Sequence, residues 1–402
     1  MKGQSFTRCF LFSACLLTAT FISLLSFTSN AKAHPPTTAA FTSAQMNPAT
    51  VESLPLGSSN TLTWTVYLPL VISSSSHQAP IYWGALVAGQ APSTENMQAG
   101  GVFDAFEARA KKQMAIIHWG QSWQMNGSDQ PFYAPWFDRV RQHGSIPLID
   151  WASRQLEGGV DQPDFRLSTI YNGAHDSYIE QWAQSAKAWG HPFFLRFDWE
   201  MNGDWQFPWS EQLNGNQPGD YIKAWQHVHD IFQQVGATNV TWVWCPNISS
   251  GTTLPMSSLY PGHAYVDWTC LDGYNKERQW LDPFSVFTGS QTDWLYDSYQ
   301  EILQVAPTKP IMVGETASNE AGDGGAQKAA WIADLLTNHL PKDFPDIKAI
   351  VWFNWDDGNP AYTFPIESSL PSQSAFATAI GSNYYAANNF ANLDTSPILP
   401  LP

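Results

Sequence analysis

Eight short apolar or β-branched runs recur after Pro80, with helix-type patterns between them: Ile81 to Val87, Met114 to Trp119, Ile146 to Trp151, Phe193 to Glu200, Val240 to Cys245, Val266 to Tyr274, Ile311 to Glu315 and Ala349 to Trp355. Strand-sized runs alternating with helices are the signature of a parallel sheet with helical crossovers. Eight such units predict an α/β protein of the (β/α)8 barrel type, a fold that keeps its chemistry at the C-terminal ends of its strands. An open doubly wound sheet is the alternative, but no G-x-G-x-x-G follows the first run. The helical segments fit the alternation. Asp220 precedes a stripe of Tyr221, Trp225, Val228 and Phe232, and Asp323 precedes Ala329, Ile332 and Leu336.

The remainder of the 402 residues divides by composition. Residues 1–33 open with Lys2 and Arg8, continue through an apolar stretch from Cys9 to Phe27 and end at Ala31-Lys32-Ala33, the pattern of a cleaved secretory signal peptide. The expected location is therefore extracellular, with no membrane span after signal removal. Residues 34–79 are rich in Ser, Thr and Pro and carry Glu52 as their only full charge, which predicts a linker. Within it Leu62, Trp64, Val66, Leu68 and Leu70 alternate with polar or smaller residues, so an edge strand is also open, with Pro69 arguing against a central one. The barrel is expected over 80–385, followed by a tail at 386–402, and the chain is expected to be a monomer. Removal of the leader leaves Cys245 and Cys270, on neighbouring predicted strands where a bridge is open.

Nineteen Lys and Arg face 35 Asp and Glu, giving a formal net charge of −16, which repels a phosphate backbone and argues against nucleic acid as a partner. Twenty tryptophans are far more than a chain of this length usually carries. About half are expected to fill the core; the others offer flat apolar faces with one donor each, suited to sugar rings.

Alternation along the fourth run puts Arg196, Asp198 and Glu200 on one face, with Leu195, Phe197 and Trp199 on the other. Three charges pointing into a barrel are costly unless they pair or act, so Arg196 and Asp198 are read as supporting groups and Glu200, the last, as the one at the mouth. A loop containing Asn202, Trp205 and Trp209 follows, its aromatics placed to line a cleft. The seventh run likewise ends in a carboxylate, Glu315, and strands four and seven of such a barrel lie across its mouth. Two facing carboxylates are what glycoside hydrolysis needs, one as proton donor and one as nucleophile or base; their separation decides between retention and inversion. That chemistry calls for no metal or organic cofactor, and no H-E-x-x-H pattern is present.

The stretch Arg196-Phe197-Asp198-Trp199-Glu200-Met201-Asn202-Gly203-Asp204-Trp205, with Pro208-Trp209, resembles the acid/base region of glycoside hydrolase family 26. Lys309-Pro310-Ile311-Met312-Val313-Gly314-Glu315, with Gly325 through Lys328 to Trp331-Ile332, resembles its nucleophile strand and following helix. The likeness extends over about residues 80–370. It implies a clan A barrel and a retaining double displacement on β-mannan, mixed-linkage β-1,3-1,4-glucan or β-1,3-xylan, with Glu200 as acid/base and Glu315 as nucleophile. It further implies that Tyr274 hydrogen-bonds the nucleophile, that Trp352 (or Trp355) forms the platform under the cleaved sugar, and that Trp205 lines the substrate. Trp151, His118 and Trp119, at the ends of strands three and two, are further cleft candidates. Family mannanases carry His immediately before the acid/base, where this chain has Trp199, which raises the standing of a β-glucan. A non-catalytic carbohydrate-binding protein on the same barrel and a structural surface protein are the readings from other classes.

Overall fold

The computed structural model describes residues 78–402, except 206, 277–279 and 360. The expected signal peptide, the alternating segment at 61–70 and nearly all of the 34–79 linker lie outside the described residues.

Each of the eight runs forms a strand: β1 (Tyr82–Val87), β2 (Ile116–Met125), β3 (Ile146–Gln155), β4 (Phe193–Phe197), β5 (Val240–Trp244), β6 (Trp268–Asn275), β7 (Ile311–Ser318) and β8 (Ile347–Asn354). Neighbours in sequence are neighbours in space and run parallel. The sheet closes because β1 pairs both with β2 (Gly84 opposite Ile116) and with β8 (Tyr82 opposite Ala349). A two-residue strand, Ser128–Asp129, hairpins onto the end of β2. At the closing seam a Cβ on Gly84 would stand 2.2 Å from the Ile116 carbonyl oxygen, so only glycine lets β1 and β2 approach this closely.

Helices α1 (Val102–Ala110), α2 (Ala134–His143), α3 (Asp176–Trp189), α4 (Asp220–Val235), α5 (Ser298–Val305), α6 (Ala326–Asp334) and α7 (Leu370–Ile380) surround the sheet. The predicted α4 stripe of Tyr221, Trp225, Val228 and Phe232 is buried, although Gly219, not Asp220, is the capping residue. Asp323 accepts from the Gly325 and Gln327 amides at the start of α6. Between β5 and β6 the described residues form only two short 3-10 turns, Met256–Ser258 and His263–Tyr265. The strands are long apolar runs because both faces are covered, one by the barrel interior and one by helices.

Ten of the twenty tryptophans are less than 2% exposed, so much of the indole content serves packing. Cys245, just past the end of β5, and Cys270 of the adjoining β6 are disulfide-bonded. Residues 386–402 run along the N-terminal ends of the strands: the Ala386 amide donates to the Ile81 carbonyl (2.9 Å), the Ile398 amide to Thr241 Oγ1 (2.9 Å), and the Trp268 indole to the Ile398 carbonyl (2.7 Å). No helix among the described residues is long and apolar enough to cross a membrane.

Candidate active site

β4 ends at Phe197, three residues earlier than its apolar run suggests, because Asp198 (φ 45°) and Glu200 (φ 51°) adopt the left-handed conformation. Two non-glycine residues in that region mark a segment held in place by its surroundings. The strict alternation expected through Glu200 therefore fails beyond Phe197. Asp198 turns toward β3 and accepts from the Ser153 amide (2.8 Å) and hydroxyl (2.6 Å). Burial pushes its carboxyl up to about 8, against the pull of Ser153 and Arg154. Trp199, expected among the helices, is only partly buried and lies with its ring 5.8 Å from the Arg196 guanidinium carbon.

Arg196, fully buried, does not pair with Asp198. Its guanidinium reaches Asp272 at 2.5 Å, Glu315 Oε1 at 3.1 Å and Asp150 at 3.3 Å. Burial opposes its charge, but the surrounding carboxylates outweigh burial and raise its pKa. A cation that three inward carboxylates demand is thus supplied by the chain itself. Glu200, Asp272 and Glu315 each place an oxygen within 4.8 Å of the others, as a metal site would, but Arg196 already occupies one oxygen of Asp272 and one of Glu315.

The Glu315 Oε2 atom accepts from the Tyr274 hydroxyl. Glu200 Oε1 accepts from the Asn247 amide at 2.6 Å, and its Oε2 from the Trp205 indole at 3.3 Å. Asn247 is held in turn by Asn202, which accepts from its backbone amide (2.9 Å) and donates to its carbonyl (2.8 Å). Burial first, and then the negative charge of Glu315, push the Glu200 carboxyl up to about 7, opposed by Lys276, Asn247 and Arg196. Two adjacent carboxyls in different environments, one held as an acid and one clasped by a guanidinium and a phenol, can perform paired acid/base and nucleophilic work.

Other expected residues separate into two groups. Trp205 is 41% exposed and lines a cleft of about 760 Å³ together with Glu200 and Tyr274. His118 lies in the barrel interior, its Nε2 2.9 Å from Asp150, one carboxylate removed from Arg196. Four tryptophans expected in the cleft are not available to a ligand there. Trp119 packs against Phe137 of α2, and Trp151 against Trp182 of α3 and Phe232 of α4. Trp352 packs against Trp331 of α6 and Phe376 of α7. Trp209 is fully buried, stacked on Phe207 with its indole donating to the Trp199 carbonyl. Asn202, also fully buried, supports Asn247 and offers no free face to a sugar. Trp355, the alternative to Trp352, is partly exposed at the end of β8.

The structure adds Asn247, Trp199, Lys276, Trp294 and Tyr362 to the site's surroundings. Asn247 had a readable signal, since Cys245-Pro246-Asn247 sits at a strand's C-terminal end. Trp294 and Tyr362 lie in loops whose paths no periodicity foretells.

The pattern of glycosyl hydrolase family 26 matches residues 117–289, a span that includes Glu200 and ends before Glu315. Endoglucanase H of Acetivibrio thermocellus is 33% identical over 288 residues, 69% of this chain and 29% of that protein. The mannan endo-1,4-beta-mannosidase A and B of Caldalkalibacillus mannanilyticus is 26% identical over 163 residues, 39% of this chain and 26% of that protein. The chain thus spans under a third of the length of these curated relatives. A modular endo-beta-1,4-mannanase from Cellulomonas fimi shares the fold, with a TM-score of 0.58 at 15% identity, covering 80% of this chain and 75% of that one. Sequence pattern, relatives and barrel agree: the chain belongs to glycosyl hydrolase family 26.

Proposed function

We propose that the protein is a secreted, retaining endo-β-glycanase that hydrolyses a β-linked polysaccharide, β-mannan or β-1,3-1,4-glucan. The observation that carries this reading is the approach of Glu200, which lines the cleft, and Glu315, whose nearest oxygens lie within 4.8 Å of each other. Retaining enzymes hold their carboxyls about 5–5.5 Å apart, and inverting ones about 6.5–9.5 Å, to admit a water.

Glu200, protonated up to about pH 7, gives its proton to the glycosidic oxygen as the bond to the anomeric carbon breaks. Glu315, ionised, attacks that carbon through one oxygen to form a glycosyl-enzyme. Tyr274 and Arg196, bonded to its two oxygens, orient it. The leaving sugar departs with its new hydroxyl. Glu200, now a carboxylate, takes a proton from water, whose oxygen attacks the anomeric carbon and releases Glu315. Inversion at each of two steps gives net retention.

A β-glucan is the preferred substrate of the two. Trp199, in place of the histidine of the mannanases, overlies Arg196 beside the acid/base, and the endoglucanase relative matches more of this chain than the mannosidase does.

The test is a panel of barley-type β-glucan, glucomannan, galactomannan and β-1,3-xylan, with product sizes and anomeric configuration followed by NMR, for the unaltered protein and for Glu315→Ala. Release of β-anomers by the former and background turnover by the latter, with polysaccharide still bound, is expected. Near-normal hydrolysis by Glu315→Ala rejects the assignment, and binding without hydrolysis by the unaltered protein makes it a carbohydrate-binding barrel.

A further inference from the structure

The segments 249–251 and 294–296 form a small antiparallel clip. The Gly251 amide donates to the Trp294 carbonyl (3.1 Å), the Tyr296 amide donates to the Ser249 carbonyl (2.9 Å), and Ser250 pairs with Leu295. Side chains alternate along such a pair, so Leu295 turns inward, 5% exposed, while Trp294 and Tyr296 share the other face at 37% and 56% exposure. A large flat indole left open on a backbone-bonded element has already lost much of its conformational freedom, which is what a binding platform for an apolar sugar face requires.

Trp294 lines the same cleft as Glu200 and Trp205, with the Asp293 carboxylate and the Ser250 and Thr252 hydroxyls beside it. Its place on the cleft has a direction. The clip begins two residues after Asn247, the donor to Glu200, and Gly251 is four residues beyond Asn247, within about 14 Å of extended chain. It therefore belongs to the wall next to the proton donor, and a proton donor faces the oxygen that leaves. Trp205 already touches Glu200.

Resting on the glycanase reading above, we infer that Trp294 forms a binding subsite for a sugar on the leaving-group side of the cleaved bond, beyond the one adjacent to Glu200, with the pyranose face stacked on the indole and its hydroxyls bonded by Asp293 and the Ser250–Thr252 segment. This platform makes long chains better substrates than short ones and holds a sugar acceptor during glycosyl transfer.

The test uses the full chain and a reducing-end-labelled pentasaccharide derived from whichever polymer of the panel the unaltered protein cleaves. In Trp294→Ala the favoured cleavage is expected to move one sugar toward the reducing end, with kcat/KM falling about tenfold through KM, the scale of one aromatic stacking contact. Trp294→Tyr should keep the original pattern. If Trp294→Ala does not fold, Trp294→Leu retains apolar bulk without the aromatic face and should show the same shift. An unchanged cleavage pattern, or a shift toward the non-reducing end, overturns the inference while leaving the glycanase reading intact. Absence of cleavage of every polymer by the unaltered protein rejects both.

Discussion

The side-chain amide of Asn247 donates to Oε1 of Glu200 at 2.6 Å, and Asn247 is clamped by two hydrogen bonds with Asn202, one donated by each residue. A donor favours the ionised carboxyl, so this bond restrains the rise that burial and Glu315 impose on Glu200. Replacing Asn247 with Ala should move the alkaline limb of the kcat/KM profile to higher pH and slow the step in which Glu200 acts as base. A pH–rate series on the cleaved polymer measures both; an unmoved limb would show that Asn247 does not set the acidity of Glu200.

Activity of the unaltered protein should fall as pH rises through about 7, where Glu200 loses its proton. Glu200→Gln should abolish that limb together with most of the rate.

Stability should follow the same groups. Glu200 and Asp198 have folded-state pKa values near 7 and 8, above their ordinary values, so the folded protein binds more protons than the unfolded chain between roughly pH 4 and 8. Their contribution is fully present below that window and is lost as pH rises through it. Differential scanning calorimetry at pH 5 and pH 9 should show the higher Tm at pH 5 and a smaller difference in Asp198→Asn.

Tyr274→Phe deletes the donor to Glu315 Oε2 without changing ring packing against Phe364. A hydrogen bond to a charged group contributes about 1.5–3 kcal/mol, so kcat should fall by about one to two orders of magnitude with a near-normal Tm. Steady-state kinetics beside a thermal melt separate this from a folding defect.

Gly314→Ala introduces a Cβ only 2.4 Å from Cys270 Sγ and 2.8 Å from Asp272 Oδ1. Overpacking of this kind costs about 1–3 kcal/mol, and the adjoining Glu315 would move with the backbone. Both Tm and kcat should drop; a wild-type melt would contradict the closeness described at this position.

The strands could be read because a doubly covered strand must be apolar throughout, and the meeting of Glu200 with Glu315 because strand ends four and seven converge in a barrel. Side-chain parity accounts for much of the difference between expectation and structure. His118 and Asp150 point inward, so Trp119 and Trp151, one residue later, must point to the helices. The parity that turns Arg196 inward turns both of these indoles away from the cleft. Trp199 escapes the rule because the left-handed turn at Asp198 breaks the strand's parity, and nothing in a sequence of common residues marks such a turn. The family resemblance places Trp352 in the cleft, whereas its ring packs against Trp331 and Phe376 of the helices and its indole donates to the Phe364 carbonyl.

Because β1 is sealed on one side by β2 and on the other by β8, its second edge stays open while more than two hundred intervening residues are synthesised. A nascent barrel with an unpaired, wholly apolar edge invites wrong partners. Long-range pairing of this kind also makes for slow maturation, so the polypeptide's folded yield should be limited by the arrival of its last strand at its first.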